Sequence, residues 1–201
     1  MNVIVDYDVG NLDSLLRGLE KAGIKSIVSK DPKVIKSADA LVLPGVGAFK
    51  EAMISLNASG LVPFIQEHVN KNKPLLGICL GMQLLYENSE EYGYSKGLGF
   101  LKGSIKPLKT TVKVPHMGWN ELKFNHPNDT VLKFINEGDY VYFVHSYYAS
   151  CPNEQVLAYA EYGVDVPAIV RQDNIIATQF HPEKSGLVGE NIFKALKEIL
   201  V

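Results

Sequence analysis

The chain has 201 residues, 46% of them hydrophobic and 21% charged, with a formal net charge of −2 at pH 7. The length suits one domain, taken as residues 1–201, with enough apolar material for a sizeable core. No long run of one charge sign is present, so neither a nucleic acid nor an anionic membrane surface is expected as a partner.

In chain order, Asn2–Tyr7 reads as a buried strand, directly after Met1 and with no signal-peptide pattern. Asn11 is placed to cap a helix over Leu12–Ala22. Ser26–Ser29 is a short strand, and Asp31 with Pro32 opens a short helix. Ala40–Leu43 is a third buried strand, followed by the loop Pro44-Gly45-Val46-Gly47 and helices over about 50–57 and 61–71. The strand Leu75–Ile78 leads into Cys79 and a helical pattern over Leu80–Glu87. Apolar strands alternating with helices predict a parallel sheet covered on both faces.

From about residue 98 the pattern changes to short alternating runs. Ser104–Leu108, Trp119–Phe124, Tyr140–Val144, Val156–Tyr162, Ala168–Arg171 and Ile175–Gln179 read as strands, several of them antiparallel. A short helix is expected over 129–136 and a closing amphipathic helix over 187–200. The expected fold class is α/β: three layers, with a mixed, mostly parallel sheet and helices on both faces. The apolar runs are of strand length, too short to cross a bilayer. Two cysteines, Cys79 and Cys151, form neither a disulfide framework nor a four-ligand metal site. The expected compartment is the cytoplasm; no metal and no other cofactor is expected, and Cys151 is read as structural.

Gly77-Ile78-Cys79-Leu80-Gly81-Met82-Gln83 carries the strongest chemical signal. A strand, a sharp turn and a helix put Cys79 at the turn. Flanking glycines permit a strained bend and a close approach of substrate. A helix N-terminus lowers a thiol pKa from about 8.5 into roughly the 3.5–7.5 range, and only the thiolate is a good nucleophile. The competing reading is a buried cysteine acting as a small apolar residue.

The second cluster is Thr178-Gln179-Phe180-His181-Pro182-Glu183-Lys184-Ser185. An imidazole takes the proton of a thiol, and a carboxylate behind it fixes the tautomer. His181 and Glu183 supply both if the fold brings them to Cys79, with both segments at strand carboxyl ends. The competing readings are a turn histidine beside proline and a solvated surface glutamate. The loop Pro44–Gly47 is either an ordinary turn or an anion-binding loop whose N–H groups would work with that of Leu80. Such a donor is worth about 3–4 kcal/mol of barrier.

GICLGMQ, with FHPE downstream and the Pro-Gly loop upstream, resembles the class I glutamine amidotransferases over the length of the chain. PGVGAF at 44–49, PHMGWN at 115–120, FVHSYYA at 143–149, QFHPEKS at 179–185 and the opening DYDVGNL resemble one branch of that family, the glutaminase subunits of imidazole glycerol phosphate synthases. The resemblance implies a Cys79–His181–Glu183 triad that hydrolyses glutamine through a thioester. It implies an oxyanion hole from Val46 and Leu80, framed by Gly45 and Gly47. Gln83, Ser146, Tyr147 and Glu91 would hold the substrate glutamine, although Glu91 by itself looks like part of a solvated loop. It further implies that ammonia passes to a separate cyclase, a (β/α)8 barrel, in a 1:1 heterodimer, for the synthesis of imidazole glycerol phosphate and an aminoimidazole carboxamide ribotide in histidine biosynthesis. Pro115, His116, Trp119, Asn120, Tyr142 and Lys184 would face that barrel, with a core role the competing reading for Trp119. A glutaminase nearly silent until the synthase binds its ligand is implied too, with a backbone flip at 45–47 as the switch. The rivals are another class I glutaminase subunit, a cysteine hydrolase of similar architecture, which has no need of Gln83 or the PGVG loop, and a non-catalytic subunit that keeps the fold.

Overall fold

The computed structural model describes residues 1–200. The first half follows the sequence pattern closely: β1 (Asn2–Val5), α1 (Leu12–Lys21), β2 (Ser26–Ser29), α2 (Pro32–Ser37), β3 (Ala40–Leu43), α3 (Phe49–Ala58), α4 (Val62–Asn70) and β4 (Leu75–Ile78). Local chemistry sets the ends. The Asn11 side chain accepts the Ser14 N–H at 3.2 Å, and Asp31 accepts that of Lys33 at 2.8 Å, each satisfying a donor the helix leaves open.

After β4 the structure departs from the expected helix over Leu80–Glu87. Helix α5 covers only Leu80–Leu84, and β5 (Tyr86–Ser89) follows at once. Tyr86 is fully buried, so the chain turns to place it in the core instead of continuing the helix. Next come β6 (Ser95–Lys96), β7 (Leu101–Pro107), β8 (His116–Glu121), β9 (Lys123–Phe124), β10 (Tyr140–His145), β11 (Tyr147–Ser150), β12 (Val156–Glu161), β13 (Asp165–Gln172), β14 (Ile175–Thr178) and α6 (Gly186–Leu200). The expected strand Trp119–Phe124 is split at Leu122, which is fully buried. The expected helix at 129–136 is one 3-10 turn, Thr130–Leu132, opened by Asp129.

The central sheet has eight strands in the order β2-β1-β3-β4-β14-β13-β12-β9. The first five are parallel; β13, β12 and β9 extend it antiparallel. Along β1, Ile4 points into one core while Val3 and Val5 point into the other. That two-sided burial explains the unbroken apolar runs of the parallel strands. Each such fully buried Val, Ile or Leu contributes about 1.5–3 kcal/mol relative to exposure. Helices α1 and α6 cover one face, through Leu15, Leu19, Phe193 and Leu196; α3 and α4 cover the other, through Phe49, Leu56 and Ile65.

The second half also builds two small sheets, which a single mixed sheet did not foresee. One pairs β10 with β8 and packs Val141 and Phe143 into the first core; the other, β11-β7-β5-β6, packs Ala149, Ile105 and Tyr86 into the second. The chain passes from one to the other between His145 and Tyr147. Among the described residues no helix is long and apolar enough to cross a membrane.

Candidate active site

Three neighbouring parallel strands, β3, β4 and β14, deliver three segments to one edge of the sheet. Pro44–Gly47 follows β3, Cys79 follows β4, and Gln179–Glu183 follows β14. Carboxyl ends of parallel strands are where ligands gather in such sheets.

Cys79 has φ 53° and ψ −113°, a conformation that residues with a Cβ seldom adopt and that costs about 1–3 kcal/mol. Its surroundings hold it there. The Cys79 N–H donates to the Thr178 carbonyl at 2.8 Å, carrying the β4–β14 ladder up to the cysteine. A Cβ on Gly81 would stand 1.9 Å from the Leu43 carbonyl oxygen, so only glycine lets the elbow sit against β3.

His181 is 4% exposed, and its Nδ1 pairs with Glu183 Oε1 at 2.8 Å. Its backbone is tied on two sides: the N–H donates to Tyr142 at 3.0 Å, and the carbonyl accepts the Ser185 hydroxyl at 2.7 Å. The carboxylate is seated against α1, where a Cβ on Gly18 would come within 2.9 Å of Glu183 Cβ. His181 Nε2 has no hydrogen-bond partner among the described residues. Burial alone would lower the His181 pKa, but Cys79 and Glu183 outweigh it and lift it to about 9. The imidazole therefore favours the protonated form.

Cys79 and His181 line one cavity of about 330 Å³ with Val46, Gly47, Leu80, Gln83, Glu91, Pro115, Val144, His145, Ser146 and Tyr147. A larger open hollow of about 580 Å³ beside His126 and Arg171 contains no cysteine or serine. Gly45 and Pro115 stand differently from expectation. Gly45 does not line the cavity; it is wedged at the root of its loop, where a Cβ would meet Gly81 N at 2.9 Å. Pro115, expected at a partner face, lines the cavity.

Glu91 is not solvated. It is 8% exposed, and its Oε2 accepts the Phe49 N–H at 2.6 Å. Ala48 gives α3 no side-chain cap, so Glu91 closes that helix end from across the fold. Burial raises its pKa, the Phe49 N–H offsets part of this, and Glu51 adds to the rise. Gln83 Nε2 donates to the Tyr147 carbonyl at 2.9 Å and to Gln179 Oε1 at 3.0 Å. Both amide protons are thus used, and the group left free is its acceptor oxygen. Gln179, fully buried, in turn directs Nε2 at Cys79 Sγ, 3.9 Å away. The motif QFHPEKS gave Gln179 no role; its signal was a long polar side chain continuing a wholly buried strand.

His116 was expected on a partner face, but it is 2% exposed, stacked between Phe143 and Tyr162. Asn120 is half-buried, and its amide donates to the Glu161 carbonyl at 3.0 Å and to His116 Nε2 at 3.3 Å. Alternation along β8 turns both side chains inward. Trp119 is 54% exposed and Met117 61%, so the core reading of Trp119 fails. Tyr142 is half-buried with its ring edge-on to Trp119, and Lys184 is exposed.

The carbonyls fix the tautomers of the two linked histidines. Tyr147 O accepts from His145 Nδ1 at 2.9 Å, so His145 Nε2 accepts from His116 Nδ1 at 2.9 Å. Among the described residues no cluster of three or more His, Cys, Asp or Glu is placed to hold a metal.

A thiol on a strained elbow, a buried His–Glu pair and a glycine-rich loop on adjoining strands define a cysteine-dependent acyl-transfer site. Residues 3–197 match the family model for glutamine amidotransferase class-I, and the chain belongs to that family. It is 48% identical over 197 residues to the imidazole glycerol phosphate synthase subunit HisH of Lactococcus lactis, covering 98% of this chain and 97% of the relative. It is 51% identical over 202 residues to the subunit of that name from Bacillus licheniformis, covering 97% and 94%. In fold it resembles a crystal structure of a glutamine amidotransferase, with a TM-score of 0.77, 20% identity and 98% of each chain covered. It also resembles the glutaminase domain of a Trypanosoma brucei CTPS, with a TM-score of 0.69, 14% identity and 99% and 92% covered.

Proposed function

We propose that this chain is the glutaminase subunit of an imidazole glycerol phosphate synthase and that residues 1–201 act as one domain. The observation that carries the reading is the shared cavity of Cys79 and His181, with Glu183 paired to the far nitrogen of the imidazole. The names of the relatives support the assignment to histidine biosynthesis.

In the proposed reaction the Cys79 thiolate attacks the carboxamide carbon of glutamine. A C–S bond forms, and the carbonyl electron pair moves to oxygen, facing the N–H groups of Val46 and Leu80. The His181 imidazolium gives its Nε2 proton to the departing nitrogen, the C–N bond breaks, and ammonia leaves a thioester. Neutral His181 then takes a proton from water as the water attacks. The C–S bond breaks, glutamate leaves, and the thiolate returns. Glu183 holds the ring throughout.

Gln83 Oε1 and the free oxygen of Glu91 are acceptors suited to the α-ammonium. The Tyr147 carbonyl already accepts from Gln83 and His145, and that of Ser146 from Leu108 at 2.9 Å. What this stretch has left for the α-carboxylate is its N–H groups. Ammonia would pass to a (β/α)8-barrel cyclase in a 1:1 heterodimer in the cytoplasm. Exposed Trp119 and Lys184, with Tyr142, would meet the barrel, and Val46 would turn its N–H inward when the cyclase is loaded. The test is glutamate release from glutamine by the chain with and without the cyclase and its ligand. Release that rises with the loaded cyclase is expected; no release under either condition overturns the reading.

A further inference from the structure

The opening DYDVGNL segment takes no part in the reaction above, yet its tyrosine reaches the site. Tyr7 lies just past β1 and is 1% exposed. Its hydroxyl donates to the Pro44 carbonyl oxygen at 2.6 Å. Among the described residues no other hydrogen bond reaches residues 44–47. A Cβ on Gly45 would lie 2.9 Å from the Tyr7 hydroxyl and 2.9 Å from Gly81 N, so the root of the loop is wedged between the phenol and the nucleophile's helix.

Beyond Gly45 the grip ends. Gly47 has φ +93° with nothing within 4 Å of its Cβ position, and Val46 is 44% exposed. The loop thus has one fixed end and one free end. The Pro44 carbonyl and the Gly45 N–H belong to a single planar peptide. The next peptide, Gly45–Val46, carries the N–H assigned to the oxyanion. Burial, and then the charge on Cys79, push the Tyr7 phenol well above its ordinary pKa, so it stays a donor.

We propose that Tyr7 is a positioning residue for the oxyanion donors: by pinning the Pro44 carbonyl it sets the peptide plane from which the Val46 N–H is aimed. This rests on the glutaminase reading. Without the hydroxyl the ring still fills its place in the core, but the Pro44 carbonyl loses its partner and the plane is free to turn. The groups assigned to ground-state glutamine, Gln83, Glu91 and Ser146, are untouched. The cost therefore falls on the transition state, where a misaimed donor matters.

The test compares wild type with Tyr7→Phe, each with the cyclase and its ligand. Four readouts are taken: glutamine kinetics, iodoacetamide alkylation of Cys79, synthesis from added ammonia, and the melting temperature. The expected result is a kcat lowered about tenfold with KM within about twofold, because one aimed donor is weakened but not removed. Alkylation rate and ammonia-dependent synthesis should stay at wild-type values, since neither uses the oxyanion hole. An unchanged kcat overturns the proposal, and so does a kcat that falls together with the alkylation rate or ammonia-dependent synthesis; a somewhat lower melting temperature, with those two readouts held, is the expected cost of the unpaired Pro44 carbonyl. A wild type that releases no glutamate overturns the glutaminase reading itself, which the control shows separately.

Discussion

His116 donates a hydrogen bond from Nδ1 to His145 Nε2 at 2.9 Å, both residues buried. The arrangement is one-directional: Asn120 donates to His116, His116 to His145, and His145 to the Tyr147 carbonyl. Adding a proton to His145 would set two N–H groups head to head. Burial lowers the His116 pKa to about 4; burial, and then His116, lower that of His145 to about 3.

Acid sensitivity follows. Unfolded histidines titrate near 6.5, so between that pH and the folded values the unfolded chain binds more protons and stability falls as pH falls. At pH 5 the loss is on the order of 2 kcal/mol for either ring. Melting curves from pH 7 to 5 should show a decline that is reduced in His145→Gln. An acid limb identical in the two proteins would refute the assignment.

The sulfur is the only expected nucleophile. Cys79→Ala should abolish glutamine-dependent synthesis in the complex and leave synthesis from added ammonia intact. Product formation with each nitrogen source checks this. Loss of both activities would mean that Cys79 holds structure rather than chemistry.

Glu183→Gln should lower the His181 pKa from about 9 toward its ordinary value, because one of the two groups that raise it is gone. It should slow glutamine hydrolysis at least about a hundredfold through lost general acid–base efficiency. The raised pKa of wild-type His181 stabilises the fold fully below about pH 6.5, and this is lost as pH rises through 9. The variant should flatten that alkaline limb. An NMR titration of the His181 ring gives the pKa directly, and an unshifted curve would contradict the pairing.

Gln179→Leu should leave one Gln83 amide proton unpaired in a buried place, at a cost of about 1–3 kcal/mol. Gln83 then has reason to swing away from the cavity. The expected kinetic result is a KM for glutamine raised about tenfold, with a smaller fall in kcat. Wild-type values for both constants would remove Gln179 from the site.

Trp119 is the sole tryptophan and is 54% exposed. Its emission should shift to the blue when the cyclase covers it. Trp119→Ala should weaken association at least about tenfold, as for an aromatic anchor at an interface centre. Emission that ignores a saturating cyclase would place the docking face elsewhere.

The parallel half of the fold was legible because β1, β3 and β4 are buried on both sides, which leaves unbroken apolar runs. The elbow was legible because glycines bracket a lone cysteine at a strand end. Strand β5 was not: Tyr86-Glu87-Asn88-Ser89 is polar beyond Tyr86, and its pairing with β7 comes from distant sequence. Glu91 looked solvated because the helix end it closes begins 42 residues earlier. His116 and Asn120 sat in a motif read as a docking element, and only the pairing of β8 with β10 shows which way each residue turns.

Strand β14 lies against β4, although 100 residues separate Thr178 from Ile78. On the ribosome, the nucleophile's half emerges well before its proton donor. On the glutaminase reading, a nascent or truncated polypeptide ending short of residue 181 would lack the proton donor, and glutamine would be spared until translation has passed that point.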